Sequence, residues 1–383
     1  MTKKSFPFAA LLPLLAAAIL FSALLASCAA GAKKAAPEPP EIPGYGEPVR
    51  VPNAAAECFS IWRYESGDSL ILTDDGQTYL IYEGAAPADL PPSVTAIPRD
   101  PERVYMAASA VMSFWDALGK LPSVSFSALE ADDWDIENAR AAMERGEIVY
   151  AGRYREPDYE LLLSGKCVLS VQSTMSEHVP KVREKLTELG IPVFVDRSSY
   201  EPAPLGRCEW VRVYAELTGV PELGDTLFAE QKAHFDALDA SADSGKTVAF
   251  FYISASGKIV TRRSGDYITK MISLAGGHNV FDFEGEDNAL SSVTLNPEEF
   301  YLRAKDADVI IYNANIGGEI SSIDELIYKN DLLAGFRAVK NGDVWLMGSS
   351  AYQDTMKMGQ ILTDFHTVFF GSADEPVYLR KLK

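Results

Sequence analysis

Basic residues are scarce in this chain of 383 residues. Lys and Arg together number 35 against 54 Asp and Glu, so the formal net charge is −19. A surface with that excess of negative charge repels phosphate backbones, which argues against a nucleic-acid partner. The sequence also has a single long apolar run, and this run lies at the N-terminus. A permease with several membrane spans is therefore excluded.

Cysteine and histidine are also rare, at four residues each. No CxxC pair and no zinc-like spacing of Cys and His occurs, so we predict no metal site. The chain also lacks GxSxG, HExxH and a GxGxxG that opens a helix. The segment from Ser244 to Thr247 resembles the end of a P-loop, but position 240 is Ala where that loop needs Gly. We therefore predict neither catalytic residues nor a cofactor, and expect that the protein is not an enzyme.

The N-terminal residues predict export and lipid attachment. Lys3 and Lys4 precede an apolar run from Phe6 to Leu25, and small residues lead from there to Cys28. This order is typical of a secretory signal, and the cysteine after Leu-Ala-Ser resembles a bacterial lipobox. The resemblance implies a signal peptide at residues 1–27 and lipidation of Cys28. An uncleaved signal anchor is the alternative, because the apolar run is nearly long enough to span a membrane. We expect a lipid-anchored protein on the extracytoplasmic face of the cell membrane.

The next segments differ from the rest of the chain in composition. Residues 28–50 are rich in Ala, Lys, Pro, Glu and Gly without apolar periodicity, which predicts a disordered tether behind the lipidated cysteine. Within residues 51–98, two β-rich runs flank Asp74-Asp75-Gly76. An Asp-Gly turn between such runs indicates a hairpin, so we predict an N-terminal β-hairpin extension.

From residue 99 onward, short apolar runs alternate with helical patterns. Strands are expected at 104–106, 124–126, 148–151, 168–171 and 193–196, and again at 248–253, 309–312 and 344–347. Strand and helix alternation with short connections predicts parallel βαβ units. The expected fold is α/β, with two Rossmann-like lobes at residues 99–220 and 245–383. A single long helix at residues 221–244 joins them.

Arg, Tyr and polar residues gather at the predicted strand ends, where α/β lobes bind ligands. Arg and Tyr together suit a large, partly aromatic, oxygen-rich anion, through charge-assisted hydrogen bonds and stacking. His178 also suits a haem or soft metal, together with Met175 or Tyr352, although a lone His is often solvated. The candidate ligand-binding residues are Arg153, Tyr154, Ser173, Thr174, Met175, His178, Tyr200, Arg207, Arg262, Arg263, Tyr267, Tyr352 and Gln353.

Several segments resemble ABC-transporter substrate-binding lipoproteins of the iron-siderophore and cobalamin class, the class III periplasmic binding proteins. They are Tyr150–Glu160, Ser198–Trp210, Leu274–Val280 and Ala338–Trp345. The resemblance covers roughly residues 98–370. It implies two α/β lobes joined by one rigid helix, a ligand held in the cleft between them, and delivery to an ABC permease dimer. One departure is Ala203, where close relatives have His.

The resemblance also implies an exposed acidic residue on each lobe that docks onto arginines of the permease. In the first lobe the matching position is Glu160, and in the second it is Glu298 or Glu299. Each of them suits an ordinary role as well, because acids at helix starts stabilise the helix dipole. The implied ligand is a metal chelate. We favour a ferric siderophore over cobalamin, a related corrinoid or haem, because Arg pairs with anionic oxygens. An α/β enzyme or a non-transport surface sensor is the less favoured alternative.

Overall fold

A computed structural model describes residues 38–239, 241–281, 283, 292–348 and 350–383, without the side chains of Ser350 and Tyr352. The predicted signal peptide and Cys28 lie outside these ranges. The chain from Pro39 to its last residue folds as one unit. Within the described ranges, every helix is too short or too polar to cross a bilayer.

Residues 39–98 form a five-stranded sheet in the order β1-β2-β3-β4-β5. The first four strands are antiparallel to one another in sequence, and β5 runs parallel to β4. The hairpin around Asp74–Gly76 is present, with Ile71 opposite Tyr79. Gly76 has φ of 85°, a conformation that glycine adopts without strain. The strands are β1 (Val49–Val51), β2 (Phe59–Arg63), β3 (Ser69–Thr73), β4 (Thr78–Tyr82) and β5 (Val94–Pro98).

This sheet is buried on both faces. Leu70 and Leu80 join Ile42 in a cluster on one face, while Ile71 and Ile81 belong to the main hydrophobic core on the other. The predicted tether is therefore too long, and the predicted hairpin extension is too small. The tether was placed as far as residue 50, yet Ile42 is only 2% exposed and β1 begins at residue 49. Pro and Gly interrupt the apolar residues there, so no periodicity reveals their burial. The extension is likewise a sheet and not only a hairpin.

The first lobe is built on a sheet in the order β12-β11-β6-β7-β8, and its strands are parallel. All five strands lie where the apolar runs predict them. A small antiparallel pair, β9 and β10, follows β8. The elements are β6 (Val104–Met106), α1 (Met112–Ala117), β7 (Val124–Ser127), α2 (Glu137–Glu144), β8 (Val149–Tyr150), β9 (Gly152–Arg153), β10 (Glu156–Pro157), α3 (Tyr159–Ser164), β11 (Leu169–Ser173), α4 (Pro180–Glu188) and β12 (Val193–Asp196), with 3₁₀ turns at Ser109–Val111, Leu121–Ser123, Ala131–Asp133, Thr174–His178 and Ser198–Tyr200.

Three consecutive helices connect the lobes: α5 (Pro204–Glu209), α6 (Val211–Leu217) and α7 (Pro221–Ala237). The long helix was predicted to reach residue 244, but it ends seven residues earlier. Leu238 is extended, and the Asp239 carboxylate accepts a hydrogen bond from the Ser241 N–H at 2.9 Å. Short polar side chains in this run bond their own backbone and so compete with the helix.

The second lobe has a mixed sheet in the order β16-β14-β13-β17-β18-β19, with β15 beside β13. Strands β13, β17 and β18 are parallel and match the predicted strands. Strands β14, β16 and β19 are antiparallel additions. The elements are β13 (Thr247–Ile253), β14 (Ile259–Arg262), α8 (Tyr267–Leu274), β15 (His278–Asn279), β16 (Ser292–Leu295), α9 (Pro297–Ala304), β17 (Val309–Asn313), α10 (Ala314–Gly317), α11 (Ile323–Lys329), α12 (Arg337–Asn341), β18 (Val344–Met347), α13 (Ser350–Gln353), α14 (Met358–Phe370) and β19 (Leu379–Lys381), with 3₁₀ turns at Asp331–Gly335 and Thr355–Lys357.

The predicted α/β fold of two lobes joined through a helix, with a strand-containing N-terminal extension, is thus confirmed. In each lobe the parallel strands end at one edge of the sheet. Those ends lead into the loops that carry most of the candidate ligand residues, which is the usual place for a ligand in open α/β sheets.

Candidate functional site

Two candidate ligand residues from different lobes stack on each other. Arg207 lies on α5, beyond the end of β12, and Tyr267 is the first residue of α8. The Arg207 guanidinium carbon is 4.0 Å from the centroid of the Tyr267 ring, a cation–π contact. The Nε of Arg207 is buried and has no hydrogen-bond partner among the described residues. This Nε–H is therefore a donor that the described residues leave unsatisfied.

A buried carboxyl group lies beside this pair. Asp266 caps α8 by accepting from the Ile268 N–H at 2.9 Å, and it forms an ion pair with Arg262 at 3.7 Å. Burial raises the pKa of Asp266, and the charges of Arg262 and Arg207 partly oppose that rise. Two arginines thus act on one carboxyl, and Arg263 follows Arg262 directly in the chain. Guanidinium groups of this kind donate charge-assisted hydrogen bonds to anionic oxygens.

Arg207 acts on a buried carboxyl of the first lobe as well. Asp196 ends β12, is 3% exposed, and accepts hydrogen bonds from the Tyr214 hydroxyl at 2.6 Å and the Ser198 hydroxyl at 2.8 Å. Burial raises the pKa of Asp196, while these bonds and the charge of Arg207 lower it. Arg207 therefore lies within electrostatic reach of a carboxyl group from each lobe.

The loops after β11 and β12 are neighbours, because the two strands pair. Tyr200 is 56% exposed on the second of these loops. On the first loop, Met175 and His178 are exposed and Ser173 and Thr174 are half-buried. The structure thus brings these five candidates to one edge of the sheet, near the start of the α5 helix.

Arg153 and Tyr154 follow β8, the outermost strand on the side of the sheet away from β12. They sit in the β9–β10 turn, which follows β8 at the opposite edge of the sheet from β12. The Tyr154 hydroxyl accepts from the Arg155 guanidinium at 2.7 Å, and the same guanidinium lies 5.1 Å from the Tyr154 ring. Three strands of the sheet, β11, β6 and β7, lie between β8 and β12, so this turn is separated laterally from the loops after β11 and β12.

Gln353 joins the two lobes. Its side-chain oxygen accepts from the Asp135 N–H at 2.9 Å, and its side-chain nitrogen donates to the Asp133 carbonyl at 2.8 Å. Lys270 forms a second interlobe bond by donating to the Pro202 carbonyl at 2.5 Å. The Gln353 amide thus makes an interlobe contact in this structure, and its role as a ligand residue stays a prediction. The side chain of its neighbour Tyr352 lies outside the described part of the structure.

Two cavities lie away from this edge. A cavity of about 640 Å³ is lined by Val124 and Ile148, at the amino ends of β7 and β8. Another, of about 430 Å³, is lined by Lys246 and Val309, at the amino ends of β13 and β17. Because ligands of open α/β sheets bind beyond the carboxyl ends of the strands, we do not assign either cavity as the ligand site.

The helices that carry the candidate docking acids begin in the same way. The Asp158 carboxylate accepts from the Leu161 N–H at 2.9 Å at the start of α3. The Asn296 side chain accepts from the Glu299 N–H at 2.8 Å at the start of α9. In both helices the capping side chain thus bonds the third residue after the cap, which puts the two starts in the same register.

This register distinguishes the two acids that the sequence left open in the second lobe. Glu160 and Glu298 each stand two residues after the cap, and both are exposed. Glu299 stands one position later and pairs with Arg303 of the same helix at 3.1 Å. Glu298 is therefore the counterpart of Glu160, and Glu299 is engaged within its own helix.

Sequence reasoning missed three buried carboxylates that hold the N-terminal sheet. Glu209 is 0% exposed and accepts from the N–H groups of Ala54, Ala55 and Ala56, each at 2.7 Å. Glu201 accepts from the N–H groups of residues 57 and 58 and from the Trp210 indole. The available signal was an acidic residue in an otherwise buried helix, since such a charge needs a partner.

Glu216 completes this attachment. Its carboxylate, 1% exposed, accepts from the Arg63 guanidinium at 2.6 Å and from the Ser69 hydroxyl at 2.7 Å. The segment before β2 also brings Cys58 close to α5, but Cys58 and Cys208 are both buried free thiols. The extension is thus held by carboxylates and not by a disulfide.

Comparisons with known proteins agree with this architecture. Residues 106–351 match the family model described as periplasmic binding protein. Two uncharacterized lipoproteins of Methanocaldococcus jannaschii are each 25% identical to the chain. One aligns over 63% of this chain but only 57% of its own length. The other aligns over 86% of both.

Solved structures share the fold at low identity. A periplasmic binding protein from Veillonella parvula superposes with a TM-score of 0.59 at 17% identity, covering 85% of this chain and 99% of its own. The periplasmic haem-binding protein of Vibrio cholerae gives 0.56 at 18%, covering 68% and 98%. The catecholate-siderophore binding protein of the same organism gives 0.55 at 14%, covering 70% and 94%. Because the family model matches well over half of this chain, the chain belongs to the periplasmic binding protein family.

Proposed function

We propose that this chain is a lipid-anchored solute-binding protein that captures a metal chelate between its two lobes and delivers it to an ABC permease. Family membership supports a transport role for the two-lobed body. The curated relatives are lipoproteins, which supports the anchoring predicted at Cys28. The extracytoplasmic location follows from the predicted export signal.

The observation that carries the ligand proposal is the stack of Arg207 on Tyr267 across the two lobes. Arg207 is only partly buried, so its guanidinium can donate charge-assisted hydrogen bonds to the oxygens of an anionic ligand. Closing two lobes on a ligand also buries its aromatic or apolar part. An anionic chelate with oxygen donors meets both needs, so a ferric siderophore is the first choice.

Haem is the second candidate, and a different observation favours it. His178 and Tyr200 are both exposed on neighbouring loops, and both residue types serve as axial ligands of haem iron. The carboxylates of haem would pair with the arginine cluster. Cobalamin remains a further alternative. Its large neutral ring would depend on aromatic contacts more than on Arg.

Intrinsic fluorescence tests the ligand proposal. Residues 29–383 are titrated with a ferric hydroxamate, a ferric catecholate, cyanocobalamin and haemin, and the five tryptophans supply the signal. We expect saturable quenching by one of them. Arg207→Ala should weaken that binding about tenfold or more, which is about 1.4 kcal/mol. Arg145→Ala, an exposed arginine at the amino ends of the strands, is the control. Unchanged affinity in the Arg207 variant would remove this residue from the site.

A spectral measurement separates haem from the other ligands. Axial ligation of haemin shifts its Soret band, and His178→Ala should abolish that shift if the histidine is a ligand.

Recovery of the added chelate unchanged after incubation distinguishes a binding protein from an α/β enzyme, which would convert it. A protein that binds no chelate fits the non-transport sensor better.

We also propose that Glu160 and Glu298 dock the loaded protein onto the permease. Charge reversal, Glu160→Lys with Glu298→Lys, should abolish association with the cognate permease in nanodiscs and leave ligand affinity unchanged. Glu299→Lys is the matched control, because Glu299 pairs within its own helix. Equal loss with the control variant would contradict the assignment of Glu298.

A further inference from the structure

The turn between β3 and β4 carries two acidic residues that reach out of the N-terminal sheet. Asp74 accepts from the Nε of Arg197 at 2.5 Å, and an Asp75 oxygen lies 3.6 Å from a terminal nitrogen of the same guanidinium. Arg197 directly follows β12 and opens the loop that carries Tyr200. The extension therefore contacts the candidate ligand site.

Arg197 links this turn to both loops of the site. Its guanidinium also pairs with Glu177 at 3.1 Å, in the loop that carries Met175 and His178. Its carbon lies 4.7 Å from the centroid of the Tyr200 ring. The side chain is only 10% exposed, so its position is fixed by these contacts and not by solvent.

Both loops need a contact of this kind to hold their conformation. Residues 174–178 and 198–200 are short 3₁₀ turns, whose hydrogen-bond geometry is poorer than that of an α-helix. Three carboxylates surround the one guanidinium, so Arg197 is already neutralised and has little left to offer an anionic ligand. Its contacts hold the loops in place.

We propose that Asp74 and Asp75 are positioning residues of the ligand site, and that the N-terminal sheet acts through Arg197 to fix the two loops at residues 174–178 and 198–200. The ligand part of this inference rests on the proposed function. The positioning part stands on the contacts alone and can be tested without a ligand.

Hydrogen–deuterium exchange of residues 29–383 tests the positioning. In Asp74→Asn/Asp75→Asn, amides of residues 174–179 and 198–201 should exchange about fivefold faster or more, because opening of these loops is less opposed. Glu216→Gln is the control, since it weakens the same sheet at its attachment to α6 and does not touch Arg197. Unchanged exchange in both loops, or equal acceleration in the control, overturns the proposal.

Ligand affinity supplies the second readout. Among haemin, cyanocobalamin and a ferric catecholate, the probe that binds the unaltered protein should bind the double variant at least about fivefold more weakly. Unchanged affinity despite faster exchange overturns the role in the ligand site. Tighter binding of an anionic probe does so as well, because it would make Arg197 a direct ligand. If no probe binds the unaltered protein, faster loop exchange still supports the positioning, and the failure falls on the proposed function.

Discussion

Replacing Glu209 by Gln tests whether carboxylates hold the N-terminal sheet on the first lobe. The side chain keeps its size, but it loses its charge and one of its two acceptor oxygens. Three backbone N–H groups at 2.7 Å and the Arg212 guanidinium at 3.0 Å now point at these oxygens. In the variant, the new NH₂ group faces donors that it cannot accept from.

The cost can be estimated from these bonds. Hydrogen bonds to a charged group contribute about 1.5–3 kcal/mol each, and a buried donor left without a partner costs about 1–3 kcal/mol. The remaining amide oxygen keeps part of the set, and Arg212 keeps its pair with Asp225 at 2.7 Å. We therefore expect the free energy of unfolding to fall by about 2–4 kcal/mol.

Urea denaturation followed by tryptophan fluorescence measures this loss. Trp210 is fully buried beside the attachment and stacks edge-on against Phe59 at 5.1 Å, so its emission reports on the sheet. Glu230→Gln, an exposed change on α7, is the control and should stay within about 0.5 kcal/mol. A loss below about 1 kcal/mol for the Glu209 variant would refute the reasoning, because an amide would then hold the N-terminal sheet about as well as the carboxylate does.

Two further predictions concern stability. Burial raises the pKa of Asp354 to about 6, so its ionised form is disfavoured in the folded state. The folded protein therefore loses stability by ionising Asp354 above that pH, and this loss disappears as the pH falls towards 4. Asp354→Asn should therefore raise the free energy of unfolding by about 1–3 kcal/mol at pH 7.5, with a smaller gain at pH 4.5, in urea titrations at the two pH values. A methyl group at Gly224 would lie 2.3 Å from the Ala215 methyl where α6 and α7 cross. Gly224→Ala should lower the free energy of unfolding by about 1–2 kcal/mol despite its better helix propensity, whereas Gly335→Ala, with open space around it, should be near neutral in the same assay.

The strands of both lobes could be predicted from the sequence because they are buried on both faces. Val309–Tyr312 and Val168–Val171 are short apolar runs, and helices with clear periodicity separate them from the next strands. The additional strands β15, β16 and β19 have two to four residues each and contain polar side chains, so no run or alternation marks them. Their pairing depends on the sheet that is already formed.

The attachment of the extension could not be predicted for a different reason. Glu209 and its partners Ala54 and Ala55 are separated by more than 150 residues, and the partners are backbone groups without a side-chain signature. A buried acid in the sequence announces that a partner exists, but not where it lies. The burial of Ile42 was hidden in the same way, among residues whose composition is that of a linker.

Candidate ligand residues could be named from the sequence one by one, but their arrangement could not be predicted. Arg207 and Tyr267 were each expected near the ligand, yet their mutual contact depends on how the lobes face each other. Gln353 was expected there for the same reason, because it follows a strand. Where the lobes meet, its amide bonds the backbone of the first lobe at Asp133 and Asp135, a contact that its place after a strand does not reveal.

The charges of the molecule also separate its two proposed tasks. The chain carries −19 overall, but the guanidinium groups of Arg207 and Arg262 both lie close enough to the buried Asp266 carboxyl to oppose the rise in its pKa. At physiological ionic strength the screening length is about 8 Å, so distant surface carboxylates act weakly at this cluster, whereas buried and half-buried charges are screened much less. Glu160 and Glu298 face solvent on helix starts, free to meet a basic partner. The proposed ligand capture and the proposed docking would therefore use side chains of opposite charge.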